Sequence, residues 1–276
     1  MKNDSSKKST QNAPIGIFDS GVGGLSVYQE LKRLLPSQSF IYLGDTARVP
    51  YGNKSEKLIQ RYSAQCTDFL LQKGVKTIVI ACNTASSFAF KTVEGQCGNI
   101  PVVEMIGPAS IAATKSTKTG KIVILGTKGT VNNGSYKTYI ENLSLKFQKE
   151  LEVTQIACPL FVPFIEEGFK DHNSLVQIAS EYLNGISYEV DTVILGCTHY
   201  PFIHTLLQKV LGQNKTLVSS ALPAAKIVAE MNLDSNPDLD FNNNDQFFVT
   251  DDPSSFIKTA QLLGVQINSA SKAIIE

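Results

Sequence analysis

Short runs rich in Val, Ile and Leu recur along this 276-residue chain, and longer stretches with apolar residues at helical spacing separate them. This alternation restricts the fold more than any other feature. Strands nearly continuous in branched apolar residues need cover on both faces, which parallel sheets flanked by helices supply. Nine strands are predicted: Ile15–Phe18, Phe40–Leu43, Thr77–Ala81, Val102–Met105, Lys121–Leu125, Glu152–Ile156, Thr192–Leu195, Thr216–Val218 and Gln246–Val249. Between two of them, Leu58, Tyr62, Cys66, Phe69 and Leu70 lie on one face of a helix expected over Leu58–Lys73. The polar stretch Asn236–Asp245 reads as a surface loop.

The chain also resembles itself. Thr77-Ile-Val-Ile-Ala-Cys-Asn-Thr-Ala85 aligns with Thr192-Val-Ile-Leu-Gly-Cys-Thr-His-Tyr200, each an apolar strand, a small residue, a cysteine and then helix-capping types. Upstream of each lies a strand ending in a small, polar turn, Ile17-Phe-Asp-Ser-Gly-Val-Gly-Gly24 and Ile124-Leu-Gly-Thr-Lys-Gly-Thr130. The spacings agree, 63 residues from Asp19 to Cys82 and 70 from Thr127 to Cys197. The expected architecture is therefore two pseudo-symmetric, doubly wound α/β halves with mainly parallel sheets and an active site in the cleft between them. Each half presents a cysteine at the carboxyl edge of a strand, where open parallel sheets bind ligands.

Lys plus Arg (25) balances Asp plus Glu (25), so no global field favours nucleic acid or an anionic membrane. No apolar run reaches the roughly 18 residues of a membrane span. Residues 1–13 are rich in Lys, Ser, Asn and Gln without an apolar core, which reads as a disordered leader and not a secretory signal. The setting expected is the reducing cytoplasm. The five cysteines are odd in number, widely spaced and without a C-x-x-C pair, so disulfides and structural zinc explain them poorly.

Cys66, Cys97 and Cys158 read as buried small hydrophobes. Cys82 and Cys197 differ. Each sits at a strand-to-helix turn, where a helix N-terminus is expected to lower a thiol pKa. Asn83-Thr84 and Thr198-His199 follow them at once, a ready cradle for a carboxylate. Two thiols on opposed faces of one carbon suit racemisation, in which one removes a proton and the other returns one. Asp19 stands either to cap its glycine-rich turn or to assist one cysteine, and His199 either to fill a structural role or to assist the other. Ser20 joins Asp19 as a small-anion contact. The loop Leu43–Gly52, with Asp45, Arg48 and Tyr51, is another candidate wall of the cleft.

Five blocks, in order, closely resemble the glutamate racemase family: Ile15–Leu25, Gly44–Gly52, Ala81–Ser86, Cys158–Pro163 with Glu166-Glu167-Gly168, and Leu195–Pro201. The resemblance implies interconversion of L- and D-glutamate with neither pyridoxal phosphate nor metal, supplying D-glutamate for peptidoglycan. It implies that Cys82 takes the proton from D-glutamate and Cys197 from L-glutamate, with Asp19, Asp45, Glu166 and His199 as catalytic helpers. Substrate contacts carry over to Asp19, Ser20, Tyr51, Gly52, Asn83, Thr84, Thr198 and His199. It also implies a homodimer and a discontinuous first domain, 14–101 with 212–276, around a second over 102–211. Two positions depart from the family pattern. Glu104 falls where it usually reads Gly-Val-Ile-x-Pro, and Ser219 stands where Asp is expected. Three other readings fit the residues alone: an aspartate or related racemase, a non-catalytic two-lobed binder of a small acidic ligand, and a Cys-His hydrolase built on Cys197 and His199.

Overall fold

A computed structural model describes residues 13–231 and 244–275. The leader expected over 1–13 lies outside these residues except for Ala13, and so does the loop expected over 236–245 except for Asn244 and Asp245.

All nine predicted strands form, within a residue or two of their expected ends: β1 Ile15–Asp19, β2 Phe40–Gly44, β3 Thr77–Ile80, β4 Val102–Val103, β5 Lys121–Gly126, β6 Glu152–Ala157, β7 Thr192–Gly196, β8 Thr216–Ser219 and β9 Gln246–Val249. A tenth, β10 Ser271–Lys272, is exposed and two residues long, with no apolar run to announce it. The strands form two sheets, in the orders β10-β9-β2-β1-β3-β4 and β6-β5-β7-β8, and every pairing is parallel. β1, β2, β3 and β7 are buried along their whole length, as their unbroken apolar runs require.

In each sheet the central strand, β1 or β5, is flanked by strands whose connections run to opposite sides. Such reversals open a crevice at the carboxyl edge. The register decides which side chains reach that edge. Asp19 pairs with Gly44 and Phe18 with Ile80, so Asp19, Asp45 and Cys82 emerge together from the first sheet. Gly126 pairs with both Ala157 and Gly196, so Thr127, Cys158 and Cys197 emerge together from the second.

The chain crosses between the sheets twice, near the helices Ile106–Ser116 and Ala221–Met231. Both crossings fall later than the expected boundaries at 101/102 and 211/212. β4 pairs with β3 in the first sheet, and β8 pairs with β7 in the second. The departures from the family pattern lie at these crossings. The strand expected over Val102–Met105 stops at Val103 because the half-buried Glu104 carboxylate accepts from the amides of Ile106 and Gly107, capping the helix that follows. Ser219 Oγ accepts from Ala221 N at 3.2 Å and so starts the second crossing helix in the same way. A single hydrophobic cluster runs through both halves, from Ile17, Leu25 and Tyr42 to Val123, Leu195 and Leu207.

Candidate active site

The two cysteine turns and the glycine-rich turn after β1 meet in one small cavity. Ser20, Tyr51, Gly52, Cys82, Asn83, Thr84, Cys197, Thr198 and His199 line it, together with Thr127. Asp19 stands directly behind, fully buried.

Close packing brings the halves together at glycines. A Cβ on Gly23 would fall 2.3 Å from His199 Nδ1 and 2.5 Å from Thr198 Oγ1, so only glycine lets the first turn approach the second cysteine loop. A Cβ on Gly52 would fall 2.8 Å from Thr127 Cβ. Ser26 Oγ lies 2.7 Å from the Thr198 carbonyl oxygen, a hydrogen bond between the halves.

Cys82 occupies the N-cap of the helix Asn83–Cys97, and its Sγ accepts from Ala85 N at 3.4 Å. It also donates to Ser20 Oγ at 3.7 Å. This is the expected placement but not the expected electrostatics. Burial pushes the Cys82 thiol up to about 12, Asp19 adds to the shift, and the Ala85 amide and Ser20 only partly oppose it. Desolvation thus outweighs the helix N-terminus. The Asp19 carboxyl is likewise raised by burial, against the pull of the His199 charge and of the Gly21 and Gly24 amides. Its Oδ1 accepts from Gly21 N at 2.9 Å, so it caps the turn as well as facing the site.

The second thiol has different company. Cys197 Sγ lies 3.8 Å from His199 Nδ1, and His199 Nε2 lies 2.8 Å from Glu166 Oε1. Burial works against an imidazolium here, but Cys197 on one side and Glu166 on the other outweigh it and hold His199 up at about 10. At neutral pH a cation therefore sits beside one sulfur and an acidic group beside the other.

The remaining predicted residues take more specific places. The Asn83 side chain is held by the second half: Tyr136 donates to its Oδ1 at 2.6 Å, and its Nδ2 donates to Ser220 Oγ at 3.2 Å. Thr84 Oγ1 lies 3.0 Å from Thr127 Oγ1 and 3.2 Å from Thr130 Oγ1, a hydroxyl cluster spanning both halves. Glu166 reaches the site only through His199. Asp45 does not line the cavity; its carboxylate is taken up by Arg48, Tyr51 and Thr250. Thr127, Thr130 and Tyr136 were not among the expected site residues. Thr127 carried a signal, since it is the counterpart of Asp19 in the internal repeat.

Residues 15–227 match the Asp/Glu/hydantoin racemase family. A glutamate racemase of Persephonella marina is 42% identical over 250 residues, covering 90% of this chain and 92% of the relative. Among solved structures, glutamate racemase isoform RacE1 of Bacillus anthracis superposes with a TM-score of 0.87 at 36% identity, covering 96% of this chain and 98% of the other. The Francisella tularensis glutamate racemase in complex with D-glutamate superposes with a TM-score of 0.85 at 34% identity, over 96% and 98% of the two chains.

Proposed function

Since this chain belongs to the Asp/Glu/hydantoin racemase family and is an amino-acid racemase, we propose that it interconverts L- and D-glutamate with Cys82 and Cys197 as the two acid/base groups. The observation that carries this reading is that thiols from two different halves line one small cavity, which supports a single Cα lying between them during the reaction. Similarity to glutamate racemases, one of them bound to D-glutamate, supports glutamate as the substrate.

In the L-to-D direction the Cys197 thiolate takes the Cα proton, and the imidazolium of His199 stabilises the sulfur's negative charge beforehand. The electron pair left on Cα spreads into the α-carboxylate. The Cys82 thiol, kept protonated by its burial, then delivers a proton to the opposite face. The turnover ends with Cys197 as thiol and Cys82 as thiolate. The D-to-L direction starts from that arrangement, with Ala85 N and Ser20 as the groups that stabilise charge on Cys82.

Asp19 faces the substrate ammonium, and the hydroxyls of Thr84 and Thr198 face its carboxylates. Because the Asn83 side chain already bonds Tyr136 and Ser220, one Nδ2 hydrogen and one Oδ1 lone pair remain for the ligand beside its backbone. Glu166 keeps His199 charged and oriented. The family resemblance supports D-glutamate for peptidoglycan as the use of the product, and a homodimer as the working form. It also supports a cytoplasmic setting, and the five free cysteines agree with a reducing compartment. Among the described residues no helix is long and apolar enough to cross a membrane.

Incubation with L-glutamate in deuterated water tests the reading. D-glutamate carrying deuterium at Cα is expected, and protonated or unchanged L-glutamate alone would refute it.

A further inference from the structure

The loop that roofs the two thiols is fastened by residues that touch neither of them. Val49, Pro50, Tyr51 and Gly52 line the cavity, whereas Asp45, which begins the loop, is fully buried beneath it. The Asp45 carboxylate accepts from Arg48 Nε at 2.7 and 2.9 Å, from the Tyr51 phenol, and from Thr250 Oγ1 at 2.9 Å. Donors thus occupy both oxygens, which leaves no room for a substrate proton. Arg48 is fixed in turn by Gln65, whose Oε1 accepts from its Nη1 at 2.5 Å, and its guanidinium lies 4.1 Å from the centre of the Tyr62 ring. Thr250 follows β9 in the C-terminal segment. Its hydroxyl also accepts from Ala47 N at 2.9 Å, and its own amide donates to the Gly44 carbonyl at 3.1 Å. Tyr62 packs on Tyr51, with ring centroids 5.9 Å apart.

We propose that Arg48 and Thr250 are positioning residues for the reaction, acting through Asp45 to hold Tyr51 and Gly52 down over the substrate. In this arrangement Asp45 is the anchor of the roof and takes no part in proton transfer. The roof contacts the substrate alike in its ground and transition states, so loosening it costs binding and leaves the chemical step nearly untouched. The loop also closes on the second half: Gly52 packs on Thr127, and a Cβ on Gly129 would fall 2.9 Å from the Gly52 carbonyl oxygen. Releasing the anchor in the first half therefore opens the mouth between the two halves.

The kinetic part of this inference rests on the glutamate reading above, and the test separates the two. Thr250→Val and Arg48→Lys each remove or distort one donor to Asp45. The expected result is a KM raised about tenfold for both glutamate enantiomers, with kcat within about threefold of wild type and both limbs of the pH–rate profile in place. Thr250→Ser, which keeps the hydroxyl, is expected to restore KM. A second measurement needs no racemisation: alkylation of Cys82 and Cys197 by iodoacetamide, followed by mass spectrometry. It is expected to run several times faster in both variants. A kcat loss at unchanged KM with a displaced pH limb would overturn the inference, and so would wild-type KM with wild-type alkylation rates. If wild-type protein leaves glutamate untouched, the glutamate reading fails, and the alkylation rates still decide the role of the anchor.

Discussion

At the scale of the residue, the two sulfurs are chemically unequal despite their matched places in the repeat. Cys82 is held protonated by burial beside an acidic group, and Cys197 faces an imidazolium backed by Glu166. General acid/base groups contribute on the order of 10²–10⁴ in rate, and racemisation needs both, so Cys82→Ala and Cys197→Ala are each expected to lose measurable racemisation. A polarimetric assay decides this, and sustained turnover in either variant excludes the two-thiol assignment. The histidine gives a stability prediction with a definite sign. His199 binds its proton more tightly in the folded chain, at about 10, than in the unfolded chain at about 6.5. Its contribution is complete below about 6.5 and is lost as pH rises through 10, on the order of a few kcal/mol. The melting temperature should accordingly fall between pH 7 and 10 in wild type. In His199→Gln the fall should be distinctly shallower, and parallel curves would contradict the charge assignment.

Among the elements, the decisive contacts are those where a turn from one half meets a turn from the other. Gly23→Ala would drive a methyl into His199 and Thr198, so the turns must part by roughly an ångström. We expect a stability loss of about 1–3 kcal/mol and a fall in kcat/KM of about 10²-fold, measured by chemical denaturation and steady-state kinetics. Wild-type kinetics in this variant would show that the two turns do not need each other. This scale also separates what sequence made legible from what it did not. The strands were readable because parallel, doubly covered strands are written almost entirely in Val, Ile and Leu. The thiol pair was readable because the repeat places both cysteines just past the end of a strand. The elevated Cys82 pKa was not readable, because it depends on how much water the other half removes from the site. Nor was the anchoring role of Asp45, whose partner Thr250 lies 205 positions away. β10 had no apolar pattern to betray it.

For the molecule as a whole, the core that runs without interruption through both halves implies one cooperative unit. Calorimetry is expected to show a single unfolding transition whose van't Hoff and calorimetric enthalpies agree, and two resolved transitions would contradict a shared core. D-glutamate, bound between the halves, should raise that transition. At about 100 times its Kd the stabilisation is about 2.7 kcal/mol, and an unshifted transition would show that the ligand does not bind the folded chain.

The double crossing of the chain has a mechanical consequence. The helix Ile106–Ser116 leads out of the first sheet, and Ala221–Met231 leads back, packed against both Leu25–Leu34 and that first crossing helix. A body tied to another at a single point can swing in any direction, but one tied at two neighbouring points turns only about the line that joins them. Any relative motion of the halves is thereby confined to a turn about that line, which keeps one sulfur from sliding past the other.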